Sequence, residues 1–65
     1  MTTGIQLINL GDRVLIIGNH PWAGHTGTFV RQENVQGFGF RPVVRLDSGQ
    51  EIFVMRPEQW KRAGK

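Results

Sequence analysis

At 65 residues the chain is a single domain, and a domain of this size buries only about 60% of the surface its unfolded chain exposes, so assembly between copies is one way to supplement its stability. The absence of cysteine excludes disulfides and thiolate metal sites, and nothing points to an oxidising compartment. The net charge of +3, from eight Lys and Arg against five Asp and Glu, fits either a nucleic-acid partner or simple solubility.

No apolar run approaches the roughly 18 residues that a bilayer span needs. Met1 to Leu10 lacks the basic flank and small-residue cleavage site of a signal peptide, so the expectation is a cytoplasmic protein with no membrane partner. Nine glycines and three prolines cut the chain into short apolar runs, a spacing that suits strands and turns. Residues 1–10 read as a lead-in, with a short strand over Ile5 to Leu10 that Gly11-Asp12 breaks. Val14 to Ile17, apolar and rich in β-branched residues, is the clearest strand. Gly18-Asn19-His20-Pro21 ends it, since Pro21 has no N–H for a central ladder. Thr26 to Gln32 predicts a second strand, Glu33 to Gly39 a loop, and Phe40 to Leu46 a third strand. Asp47-Ser48-Gly49-Gln50 predicts a hairpin turn into a fourth strand, Gln50 to Met55. Arg56-Pro57 stops that strand, and Pro57 followed by Glu58-Gln59-Trp60 suits one helical turn. Residues 61–65 read as a frayed tail. The pattern over residues 11–60 describes an all-β fold, a small SH3-like barrel of four to five antiparallel strands with one short 3-10 turn near the C-terminus. Closing such a sheet removes exposed edges.

Gly11-Asp12-Arg13-Val14-Leu15-Ile16-Ile17, followed by Gly24-His25-Thr26-Gly27-Thr28-Phe29, resembles the KOW motif, G-D-x-V-x-V and then G-x-x-G-x-V after a short loop. That motif is carried on SH3-like barrels in ribosomal proteins and transcription elongation factors, so the resemblance implies that fold and a nucleic-acid or nucleoprotein partner. Independently of it, Val14 and Ile16 lie two apart and share one face of a strand. Gly24 and Gly27 permit positive φ or close backbone approach, and Phe29 re-enters the core. Ala23 stands where nucleic-acid-binding members often carry a basic residue. The second half, Arg41-Pro42-Val43-Val44-Arg45-Leu46 through Ile52-Phe53-Val54, resembles many small SH3-like barrels. These include the plasmid-borne type II dihydrofolate reductases, which also start from G-D-R-V and form a tetramer with an active pore. Gln50-Glu51-Ile52-Phe53 lies roughly where that family has its pore-lining V-Q-I-Y, with an acid in place of a neutral residue. This likeness implies, as a remote alternative, an oligomeric folate-dependent reductase.

The residues give no catalytic constellation. His20 and His25 have no carboxylate within four residues, and zinc needs three or four ligands. There is no phosphate-cradling G-x-x-x-x-G-K-[ST] loop. Ser48 is the only serine and no histidine follows it, and the five acids are scattered. A non-enzymatic binding module without metal or cofactor is therefore expected. Its candidate surface is Trp22, Arg31, Phe38, Arg41 and Arg45, with the arginines contacting phosphates of RNA or DNA and Trp22 and Phe38 stacking on bases. The same surface suits a protein partner, because SH3-type peptide grooves are lined by aromatics. Against both stands simple packing. Phe29, Phe53 and one of Phe38 or Phe40 are core candidates, Trp60 a plug for one barrel end, and Trp22 the aromatic most readily read as exposed. Arg31, Arg41 and Arg45 then pair with Glu33, Asp47 and Glu51 on a solvated face, adding little stability.

Overall fold

A computed structural model describes residues 7–63. Five antiparallel strands form one sheet: β1 (Arg13–Ile16), β2 (Thr26–Val35), β3 (Gly39–Leu46), β4 (Glu51–Phe53) and β5 (Trp60–Arg62), with a 3-10 turn (Pro57–Gln59) between the last two. Their order across the sheet is β4-β3-β2-β1-β5. No ladder joins β4 to β5, so the sheet is not closed by hydrogen bonds into a barrel. Among the described residues no helix is long and apolar enough to cross a membrane.

Alternation puts one face of the sheet inward. Val14 and Ile16 of β1, Phe29 of β2, Val44 and Leu46 of β3 and Ile52 of β4 form a buried cluster with Val54 and Trp60. The Trp60 ring meets Phe29 edge-on, with centroids 5.2 Å apart, a favoured aromatic geometry. Ile52 comes from one edge strand and Trp60 from the other, so the sheet must curl for both to reach the same cluster.

The register between β2 and β3 shifts once. Phe29 pairs with Val44 and Arg31 with Val43, which leaves Val30 as a bulge. That extra residue turns Phe29 inward and Arg31 outward, although the two lie two apart in sequence. Gly27 serves the same crossing. A Cβ there would collide with the backbone carbonyl of Arg45 and lie 2.8 Å from Val44 Cγ1. Gly24 acts differently, turning the chain at φ +95°.

Several boundaries differ from the sequence expectation. Of the anticipated lead-in strand, Ile5 and Gln6 lie outside the described residues, and residues 7–10 are coil and turn. Asn9 is committed to a turn instead: its N–H donates to Asp12 Oδ2 and its carbonyl accepts from the Asp12 N–H. The anticipated loop over Glu33 to Gly39 shrinks to Gln36-Gly37-Phe38, because β2 continues through Glu33↔Arg41, Asn34↔Phe40 and Val35↔Gly39. Cross-strand pairing overrides the weak strand propensity of those polar residues. β4 stops at Phe53 rather than Met55. Residues 61–63 are not frayed: Lys61 and Arg62 belong to β5, and the Ala63 N–H donates to the Arg13 carbonyl at 2.9 Å. Gly64 and Lys65, the rest of the anticipated tail, lie outside the described residues.

Candidate functional site

Four of the five candidate site residues lie on β2, β3 or the turn between them, but the structure does not gather all five into one surface. Arg45 is exposed on the face of β3 opposite the core, and there Arg31 is paired with two carboxylates. Its Nε donates to Glu33 Oε2 at 2.6 Å and its Nη2 to Glu51 Oε1 at 2.7 Å. Arg45 Nη2 donates to the other oxygen of Glu51 at 3.1 Å. These bonds from Arg31 and then Arg45 hold the Glu51 carboxyl down at about 2, and those from Glu51 and Glu33 raise the Arg31 guanidinium above its ordinary value. Arg13, nearby on β1, is bidentate to Asp47, whose carboxyl also accepts from Thr26 Oγ1. The Arg13 hydrogen bonds, then that of Thr26, hold Asp47 well below the usual carboxylate range. The packing alternative therefore holds for Arg31 and Arg45, while Asp47 takes Arg13 as its partner.

Arg41 is different. Its cross-strand neighbour is Glu33, but that carboxylate is turned to Arg31. Among the described residues Arg41 makes no ion pair. Its Nη1 donates to the Phe40 carbonyl at 2.9 Å, and its Nε is buried without an acceptor.

The aromatics also depart from expectation. Trp22 is half-buried, packed against the core and edge-on to His25 at 5.3 Å between ring centroids. Its loop is pinned by His20, whose Nδ1 accepts from the Trp22 N–H at 3.0 Å while Nε2 lies 2.9 Å from the Phe53 carbonyl. Phe53 is not a core residue. It faces outward beside Val43 and is 41% exposed, because its position in β4 has the parity of Glu51. Neither Phe38 nor Phe40 is core: Phe38 at the turn is 59% exposed and Phe40 is 65% exposed. Trp60 and Phe29 are buried as expected.

A groove of about 390 Å³ opens on the inner side of the sheet, where β3 runs past the end of β4. Phe40, Pro42, Val54, Met55, Pro57 and Trp60 supply its apolar lining. Arg41 and Arg56 are the charged members, and no acid lines it. Gln59 braces the Met55–Arg56 part of the lining from outside it: its side-chain oxygen accepts from the Met55 and Arg56 N–H groups and its amide donates to the Asn19 carbonyl. Among the described residues the Arg56 guanidinium makes one ion pair, a long one to Glu58 at 3.7 Å, with both side chains well exposed.

Of the five candidates, only Arg41 lines this groove. Phe40, Met55, Arg56, Pro57 and Trp60 were not among them. One signal for Phe40 lay in the hairpin arithmetic. If Asp47 to Gln50 is the turn, β4 runs out opposite Pro42, and Phe40 has no partner beyond it. For Met55 and Arg56 the sequence carried no such signal, since they read as the end of a strand.

Among the described residues no three His, Asp or Glu stand together as a metal site. Compared with protein-family models, curated proteins and solved structures, the chain matches none.

Proposed function

We propose that the chain is a small non-enzymatic SH3-like module of the KOW type that binds nucleic acid through the β2–β3 ribbon. The SH3-like reading is supported by β1 lying between β2 and β5, by the 3-10 turn that joins β4 to β5, and by a core drawing on both edge strands. The KOW reading gains from the separate work of Gly24 and Gly27, one turning the chain and the other admitting a neighbouring backbone.

The observation that carries the ligand assignment is Arg41: of the three arginines proposed to contact phosphates, it is the one that makes no ion pair among the described residues, and it lies next to exposed Phe40 in the lining of a groove without acids. A guanidinium without a counterion beside exposed rings matches phosphate contact combined with base stacking. Arg31 and Arg45 become secondary contacts, because phosphate would have to compete with Glu33 and Glu51 for them. Titration of fluorescently labelled oligonucleotides by anisotropy tests this. Binding at low salt that weakens steeply as salt rises is the expected result, because phosphate contact releases counterions. Absence of binding to both single- and double-stranded polynucleotide at low salt would end the proposal. A protein partner captured equally well after nuclease treatment would point instead to an assembly module of the same fold.

A further inference from the structure

We infer that the groove between β3 and the 3-10 turn takes one unstacked base together with its flanking phosphates, so that the module selects single strands over duplex. This rests on the nucleic-acid reading and assigns it a place. The groove's volume of about 390 Å³ is near the lower end of the roughly 300–1,000 Å³ of sites that hold small molecules. It therefore suits one nucleotide unit and not a stacked run. Its lining suits a flat π-system: the open ring of Phe40 on one side, Trp60 at the buried end, and the polarizable thioether of Met55 between β4 and the 3-10 turn.

Charge decides the occupant. Arg41 and Arg56 are the charged residues of the lining. Among the described residues Arg41 makes no ion pair, and the one ion pair of Arg56 is the long contact to Glu58. A groove of this polarity disfavours a basic peptide and favours an anion that also presents a ring. A base in a duplex is stacked and paired, and has to be unstacked before it can enter, whereas a base in a single strand is ready to do so.

The test compares the full chain against fluorescein-labelled dT8, a hairpin duplex of equal length, thymidine monophosphate and an oligoglutamate peptide. We expect dT8 to bind at least about tenfold more tightly than the duplex, with loss of about tenfold or more on Phe40→Ala or Arg41→Gln, in line with one stacked base. Phe40→Leu keeps an apolar side chain at an exposed position, so it separates loss of the ring face from loss of the fold. It should weaken dT8 nearly as much. Phe53→Ser, on the opposite face, should leave affinity within about twofold. Thymidine monophosphate should shift the NMR signals of the Met55 methyl and the Trp60 indole. If dT8 binds but neither Phe40 variant weakens it, or if duplex binds as well as dT8, the groove assignment is overturned while the nucleic-acid reading stands. If neither oligonucleotide binds, both fall, and binding of oligoglutamate in their place would make the groove an acidic-peptide site.

Discussion

Glu51 ties β2, β3 and β4 together through two arginines, and its charge state sets when it does so. The hydrogen bonds from Arg31, then Arg45, lower its carboxyl from an ordinary 4.5 to about 2. A carboxyl lowered in the folded state favours folding above its unfolded value, and that contribution is lost as pH falls from about 4.5 through about 2. Denaturant midpoints should therefore drop on acidification across this window, and Glu51→Gln should be less stable than the parent at neutral pH yet converge with it near pH 2. Asp47, lowered by Arg13 and Thr26, leaves a residual acid dependence in that variant. If Glu51→Gln keeps the parent's full pH dependence, the network does not act as described. The two motif glycines offer a second contrast. Gly27→Ala drives a methyl into the Arg45 carbonyl and Val44, both fixed by the sheet, and overpacking of that kind costs about 1–3 kcal/mol. At Gly24 nothing lies within 4 Å of an added Cβ, and only the φ of +95° opposes it, so Gly24→Ala should cost about 1 kcal/mol. Chemical denaturation of the two variants checks the order.

Val30 does for the β2–β3 ribbon what no single contact does. Without the bulge Phe29 and Arg31 would face the same way, and either the ring would leave the core or the guanidinium would enter it. Deleting Val30 leaves Phe29 and Arg31 adjacent on a regular ladder and still on opposite faces, so that variant should unfold cooperatively with a midpoint lowered by loss of the bend, whereas Val30→Thr, which keeps the bulge, should cost no more than about 1 kcal/mol. A deletion variant with no cooperative transition would show that the bend, and not only the register, is needed to bring both sheet edges to one core. The bulge also marks where sequence reading stopped. Strands β1 and β3 were legible because Val14 and Ile16, or Val44 and Leu46, carry the period of two into a buried face. The turn at Asp47 to Gln50 was legible because its residues suit no strand. The extension of β2 through Glu33 and Asn34 was not, since only the partner strand makes those polar residues extended. Likewise, the pairing of Arg31 with Glu51, 20 positions away, follows from the bulge and from no local pattern. For the candidate site the sequence offered all three arginines either phosphates or the acids Glu33, Asp47 and Glu51, and the fold divides them: Arg31 and Arg45 are counter-charged, while among the described residues Arg41 makes no ion pair.

Among the described residues no backbone ladder joins the sheet's two edges, and Trp60 is the side chain by which β5 reaches the core. At roughly 0.05–0.15 kcal/mol per residue, a chain of this length has a total stability of only a few to about ten kcal/mol. Truncating a buried tryptophan to alanine removes about 3–5 kcal/mol, which is most or all of it. Trp60→Ala should therefore be largely unfolded at room temperature by circular dichroism. Trp60→Phe keeps an aromatic edge toward Phe29 and should fold with a lowered midpoint. The backbone of β5 gives a separate handle. It pairs with β1 through Val14↔Arg62, Leu15↔Lys61 and Ile16↔Trp60, and the Lys61 side chain is exposed. Lys61→Ala should be nearly neutral, while Lys61→Pro removes the N–H at the centre of that pairing and should destabilise the domain by about 3 kcal/mol or more. A frayed C-terminal segment would accept proline at Lys61 as readily as alanine. Equal midpoints for the two variants would therefore remove β5 from the fold, and with it the wall that Trp60 gives to the groove.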